Sequence, residues 1–373
     1  MKITDISVDR LRLPLDPPLH AAWDPRPREH FDATVVRVRT DEGITGIGSG
    51  DTMTGFDAVR HLFVGTDPLR IDRHVKAIET ANFHGGAFWP LEAALWDVIG
   101  KATGVPVSVL FGGAADALPA YASTAELKPP AERVESALAA RQAGFRAMKI
   151  RIAPDGVEEG IATVAAARDA LGPDFDIMVD LNQSWRMAGD TADAVDFATT
   201  ARTVRRLAEI GVSWVEEPLP YHDLAGFRAL RARYPEVRIA AGEMQHSVPD
   251  LLRYLEQDVL DVYQMDVVLA VGMHRARTIA ELARLKHRHF TPHSWTNGIG
   301  LLANLHVAAG VGGGPHFEFP YDPPGWTPRR RDFLLARPVE VRADGAVAVP
   351  QVPGLGVELD ENVIADTKIG GIP

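Results

Sequence analysis

Ser213-Trp214-Val215-Glu216-Glu217-Pro218 is an apolar run stopped abruptly by two carboxylates and a proline. It reads as a short strand that ends in charge. The same event recurs along the chain. Ile177-Met178-Val179 ends at Asp180, Ile239-Ala240-Ala241-Gly242 at Glu243, and Val262-Tyr263-Gln264-Met265 at Asp266. Phe290-Thr291-Pro292 ends at His293, and Pro315-His316-Phe317 ends at Glu318. Successive charged positions are 23 to 36 residues apart, each about one strand–helix unit. Charge at the end of every strand of a βα repeat is the one-dimensional image of a barrel active site, which sits at the C-terminal ends of the strands.

Working outward, eight candidate strands cover residues 119–123, 147–152, 177–181, 214–217, 239–243, 261–265, 289–292 and 317–319. Amphipathic patterns separate them, over 131–143, 160–171, 192–210, 224–234, 248–255, 273–285 and 301–309. Parallel strands joined by right-handed helical crossovers close into a barrel at eight. The expected fold is therefore α/β, a (β/α)7-8 TIM-type barrel spanning 116–325.

Residues 1–115 lack this rhythm. Strand alternation over 3–13 and 31–39, a turn at Asp41-Glu42-Gly43 and a return strand over 44–48 predict a small sheet. Helical patterns follow over 56–63, 71–81 and 90–103. In the last, Glu92, Asp97 and Lys101 share one face, and Leu91, Ala94, Leu95, Val98 and Ile99 the other. The glycines of 43–50 suggest a phosphate loop only weakly, because no Lys-Ser/Thr and helix follow. This is an α+β capping domain. The tail, 326–373, with alternating runs at 339–341 and 346–349, is expected to return to the N-terminal sheet.

The 373 residues exceed one barrel, in keeping with a second domain. A net charge of −11 argues against nucleic acid as a partner, and means that an anionic substrate needs local cations or a metal. No apolar run is long enough to span a membrane. The first residues lack the apolar core of a signal peptide, and cysteine is absent; the cytoplasm is the default expectation.

Asp180, Glu216 and Glu243 end three successive strands. Neighbouring strands are about 4.8 Å apart, so the three acids can converge. Buried together without a cation they would be strongly destabilising. All-oxygen ligation by separate carboxylates suits Mg²⁺. Glu217 falls on the other side of the pleat and is expected to be a salt-bridge partner. Lys149 and Arg151 share a strand face. Together they would offset a substrate carboxylate and depress the Lys149 pKa, favouring a neutral amine able to take a proton. Arg151 stays protonated. Asn182 shares the face of Asp180 and can bond substrate. Asp266 can fix the tautomer of His293, leaving the other ring nitrogen as base. Glu318, if kept protonated by burial, could donate to a developing oxyanion.

Lys149-Ile150-Arg151, Asp180-Leu181-Asn182, Glu216-Glu217-Pro218, Gly242-Glu243, Asp266, His293 and Glu318 together resemble the enolase superfamily, specifically its mandelate racemase subgroup, over essentially the whole chain. The resemblance implies Mg²⁺ on Asp180, Glu216 and Glu243, an Asp266–His293 acid/base dyad, and Glu318 bonding the substrate carboxylate. It also implies a symmetric homo-oligomer. One departure matters: Arg151 stands where mandelate racemase has a second lysine, so a two-base racemisation lacks its usual second base. The 292–297 loop, with Trp295, resembles acid-sugar dehydratases. The expected activity is dehydration of a sugar acid, aldonate or aldarate, through an enediolate to a 2-keto-3-deoxy acid. Epimerisation and cycloisomerisation share that enediolate, and a non-catalytic sugar-acid-binding protein is the alternative of another class. Specificity loops are expected from the cap, at 19–23 with His20 and Trp23, and at 83–86.

Overall fold

The N-terminal alternation becomes three antiparallel strands, β1 (Ile3–Leu19), β2 (Arg28–Thr40) and β3 (Thr45–Gly50). The turn before β3 uses Gly43 at φ 80°, a conformation open to glycine. This is a computed structural model and describes residues 1–50 and 53–373. The expected helix over 56–63 is instead two 3₁₀ turns, Phe56–Ala58 and Arg60–Leu62. So short a span scarcely offsets helix nucleation, and buried Phe56 and Phe63 anchor it from both ends. Helices α1 (Ile71–Phe83), α2 (Trp89–Thr103) and α3 (Val107–Leu110) follow.

Helix α2 lies directly on β3. A Cβ at Gly46 would come within 2.1 Å of the Ala94 carbonyl, and one at Gly48 within 2.0 Å of the Pro90 carbonyl. These glycines serve close helix–sheet packing, not phosphate binding. The polar face expected on α2 is also buried. Asp97 accepts from the backbone N–H of Ile47 and of Leu355 and pairs with Lys101, while Glu92 accepts from Trp96 Nε1 and the N–H of His274. The face is polar because it ties the cap to the barrel and the tail, where each carboxylate meets donors that need a partner.

The barrel alternates β4 (Ala117–Ser123), α4 (Pro130–Gln142), β5 (Ala147–Arg151), α5 (Val157–Leu171), β6 (Asp176–Asp180), α6 (Phe197–Ile210), β7 (Trp214–Glu216), α7 (Leu224–Arg233), β8 (Arg238–Ala241), α8 (Val248–Glu256), β9 (Val262–Tyr263), α9 (Gly272–Leu285), β10 (His289–Phe290), α10 (Gly298–Val311) and β11 (Phe317–Pro320). The parallel ladder runs in chain order from β4 to β10, and β11 returns beside β4. Between β10 and β11 the ladder is replaced by other bonds. Gly314 N donates to the Phe290 carbonyl, and Thr291 Oγ1 to the carbonyls of Gly314 and His316. Pro315 has no N–H to offer there. Tyr121, Ala147, Met178, Trp214, Ala240 and Val262 pack together in one buried cluster contributed by six of the strands.

The tail continues as α11 (Pro328–Arg331), β12 (Ala346–Ala348), α12 (Glu361–Thr367) and β13 (Lys368–Ile372). Of the two tail strands, β13 pairs with the N-terminal sheet, antiparallel to β1. The expected return of 346–349 is corrected: β12 pairs with barrel strand β4, where Val347 is fully buried.

His306, on α10, joins three parts of the molecule. Its Nδ1 accepts from the Ser108 N–H at 3.0 Å, and its Nε2 faces the Leu355 carbonyl at 3.1 Å. The ring must be neutral to do both, and burial pushes its pKa down to about 4. The unfolded chain takes up a proton near pH 6.5 that the folded chain refuses. Stability from this residue is thus complete above about pH 6.5 and is lost as pH falls toward about 4, by about 3 kcal/mol. Urea melts across that window should show the loss, and His306→Gln should flatten it.

Candidate active site

Strand register lines up the first site residues. Arg151 on β5 pairs with Asp180 on β6, and Asp180 with Glu216 on β7. Beyond β8, Gly242 at φ 103° turns the chain and brings in Glu243. One ligand oxygen from each of Asp180, Glu216 and Glu243 lies within 4.8 Å of the others, all buried. Burial raises the Glu216 pKa; Lys149 opposes this, and Asp180, Glu318 and Glu243 reinforce it. Glu243 is likewise raised, first by burial, with His293 opposing and Asp180 adding to it. Glu243 Oε2 has no hydrogen-bond partner. Three converging carboxylates with an orphaned oxygen fit a hard divalent cation, which takes oxygen donors and relieves their repulsion.

Each acid is held by a different donor. Asp180 accepts from Arg151 Nη1 at 2.6 Å and from the Asn182 N–H at 2.9 Å. Glu216 accepts from Lys149 Nζ at 2.5 Å and Trp214 Nε1 at 3.2 Å. Glu243 Oε1 accepts from Trp185 Nε1 at 2.7 Å.

Two expectations about charge are reversed. Lys149 is not a neutral amine. Burial acts to lower its pKa, but Glu216, Glu318 at 2.8 Å and Asp180 at 3.5 Å outweigh it and raise the value, so the ammonium persists. Glu318 is not a protonated donor. Burial acts to raise it, but Lys149 and His293 hold it down at about 2. Its oxygens already accept from Ser123 Oγ at 2.7 Å and the Ser294 N–H at 2.6 Å. Both residues are fully buried and neither lines the cavity described below.

Glu217 is corrected as well. It turns at φ 46°, is buried, and forms no ion pair among the described residues; its Oε2 is unpartnered. The turn carries it off the pleat and into the wall of the site, away from surface cations.

The dyad is assembled as expected. His293 Nδ1 lies 2.9 Å from Asp266 Oδ2, and its Nε2 is 3.9 Å from Glu243 Oε2. Asp266 Oδ1 accepts from the backbone of Val268 and Leu269 and from Asn304 Nδ2. Burial would lower the His293 pKa; Glu243, the Asp266 hydrogen bond and Glu318 push it up to about 9.

Above these groups opens a cavity of about 1250 Å³, lined by Trp23, Arg151, Asn182, Trp185, Glu243, His293 and Trp295 among others. Arg151 is fixed from every side. It donates to the Thr124 carbonyl and Asn182 Oδ1, and its guanidinium lies 4.1 Å from the Trp23 ring centre. Trp23 meets Trp295 edge-on at 4.9 Å. Of the cap loops expected to line the cavity, residues 83–86 do not, and exposed His20 does not. The wall comes from residues 23–32 instead, because the strands β1 and β2 run longer than expected and carry their connection over the barrel mouth.

Sequence reasoning missed Trp185, Ser123, Ser294 and Asn304. A signal existed for Asn304: it is a lone amide in the apolar run Leu301-Leu302-Ala303-Asn304-Leu305 of a fully buried helix. A buried polar residue needs a partner, and here that is Asp266.

A two-part chain with charged groups gathered at the barrel mouth defines a class of acid/base enzyme scaffold. The matches to known families agree. Residues 132–363 match the enolase C-terminal domain-like family, and residues 4–112 match the mandelate racemase / muconate lactonizing enzyme N-terminal domain, so the chain belongs to the enolase superfamily. It is 28% identical to the D-galactarolactone cycloisomerase of Agrobacterium fabrum, over 99% of both chains. It is 27% identical to the L-talarate/galactarate dehydratase of Salmonella typhimurium, over 92% of this chain and 84% of that one. Among solved structures, a racemase from Streptomyces coelicolor with bound magnesium superposes with a TM-score of 0.83 at 26% identity, covering 98% and 100% of the two chains.

Proposed function

We propose that this protein is a Mg²⁺-dependent dehydratase of a sugar acid, an aldonate or aldarate. The observation that carries this reading is the pairing of a single ordered dyad, Asp266–His293, with an arginine locked where a second base would have to stand. Asp180, Glu216 and Glu243 would hold the Mg²⁺, which when bound supplies Lewis-acid stabilisation of charge on the substrate carboxylate.

The chain's own residues do the rest. Glu243 gives the largest upward push on the His293 pKa and would be neutralised by the cation it holds, so the imidazole would be neutral, with its proton on Nδ1 facing Asp266 and Nε2 free toward the cavity as base. His293 takes the proton from the carbon next to the carboxylate. It then returns that proton to the hydroxyl leaving the neighbouring carbon, so the C–O bond breaks and water departs. The enol left behind tautomerises to the 2-keto-3-deoxy acid. Arg151 and Lys149 bring positive charge to the carboxylate end, offsetting the negative balance of the chain. Trp23 and Trp295 cover the mouth and limit water.

A second reading, cycloisomerisation of a lactone or anhydro sugar acid, is favoured by the full-length similarity to the D-galactarolactone enzyme. Incubation with a panel of aldonates, aldarates and their lactones, in D₂O with MgCl₂, separates the cases. A semicarbazide-reactive keto acid with loss of water is the expected result. Consumption of a lactone alone gives the second reading. Deuterium at C2 with inversion of that carbon and no keto acid formed would instead mean an epimerase, and binding with no turnover would mean a sugar-acid sensor; either would overturn the proposal.

A further inference from the structure

Glu243 is the only one of the three converging acids with a partnerless oxygen among the described residues. Its other oxygen is engaged by the indole N–H of Trp185 at 2.7 Å. The carboxylate is thereby fixed in one rotation, one oxygen toward the indole and Oε2 left over. Trp185 does not belong to the same strand as Glu243; it stands in the segment after β6.

That segment is tied to its neighbours by a series of short-range bonds. The Gln183 N–H donates to the Glu217 carbonyl at 2.9 Å, and Ser184 Oγ to the Leu219 carbonyl at 2.8 Å. Arg186 Nη1 folds back on the Asn182 carbonyl at 2.9 Å, and Nη2 on Gln183 Oε1 at 2.9 Å. Trp185, Arg186 and Met187 then form part of the cavity wall. The segments following β6, β7 and β8, the three strands that deliver the acids, are thus bonded to one another. Within this segment Asn182 reaches Asp180, and Trp185 is the link that reaches across to Glu243.

The geometry points to Trp185 as a positioning residue that orients Glu243 for the metal and couples metal occupancy to the cavity wall at 183–187. This rests on the metal reading above. An indole suits such a role because it donates one hydrogen bond, accepts none, carries no charge and cannot compete as a ligand. Partners that orient a metal ligand commonly set affinity by about 10–100-fold.

The test is Mn²⁺ binding to the full chain, followed by electron paramagnetic resonance. Trp185→Phe keeps most of the ring volume and removes the N–H. It is expected to weaken Mn²⁺ binding by about 10–100-fold. Unchanged affinity in the variant, with the unmutated chain binding normally, overturns the positioning role and leaves the metal reading intact. No Mn²⁺ binding by the unmutated chain overturns the metal reading and this inference with it. Hydrogen exchange of the unmutated chain tests the coupling without any substitution. Amides of 183–187 should exchange more slowly when Mn²⁺ is added, and an unaltered rate overturns the coupling.

Discussion

Replacing His293 with asparagine is expected to lower kcat on whichever sugar acid turns over by about 10²–10⁴-fold, the usual worth of a positioned acid/base group. The variant should fold normally. Asp266 keeps its bonds to Val268, Leu269 and Asn304, so the acid is not stranded. Mn²⁺ binding should survive, because the three converging acids, Asp180, Glu216 and Glu243, are untouched. Exchange of the α-proton in D₂O should fall with turnover, since one group serves both events. Rapid exchange without product in the variant would show that another base takes the proton. Lys149, as an ammonium between three carboxylates, is poorly placed to be that base.

Removing the metal, or its ligand Glu243, should be as damaging. Chelation with EDTA is expected to abolish turnover, and Mg²⁺ in excess to restore it. Glu243→Gln should lower turnover by at least about 10²–10³-fold, the range for loss of one preorganised electrostatic group. Glu243 is the cleanest of the three acids to change. Asp180 and Glu216 carry the short bonds to Arg151 and Lys149, and cutting them would disturb the pairing of a buried cation. A stability readout accompanies the kinetic one. The three acids repel one another in the folded chain, and a ligand that binds only that state raises stability by mass action, about 2.7 kcal/mol at a hundredfold excess over Kd. The melting temperature should rise with Mg²⁺ in the unmutated chain and scarcely move in Glu243→Gln. Equal rises in both would mean the cation binds elsewhere.

Much of this site is legible in the sequence for a physical reason. A short apolar strand that stops at Asp180, Glu216 or Glu243 sets both the side-chain face and the depth in the barrel, so period-two geometry alone brings those acids together. The Asp266–His293 pair is legible in the same way. Charge states are not. Lys149 and Glu318 have their protonation fixed by each other and by Glu216, and those distances come only from the closed barrel. Trp185 was equally hidden, because its partner is 58 residues away and nothing in its own segment names it. The cap was misjudged through strand length. Alternation shows where β1 begins and where β2 ends, but not how far the two run toward the connection that crosses the mouth.

The wall from residues 23–32 comes from the cap and the reacting groups from the barrel, and the two meet where Trp23 packs on Arg151 and Trp295. On the proposed reading, appetite and reactivity can therefore be altered separately. Grafting that one connecting tongue from a relative of different diet would be the most economical way to retrain the enzyme, since none of the groups that move protons would need to be touched.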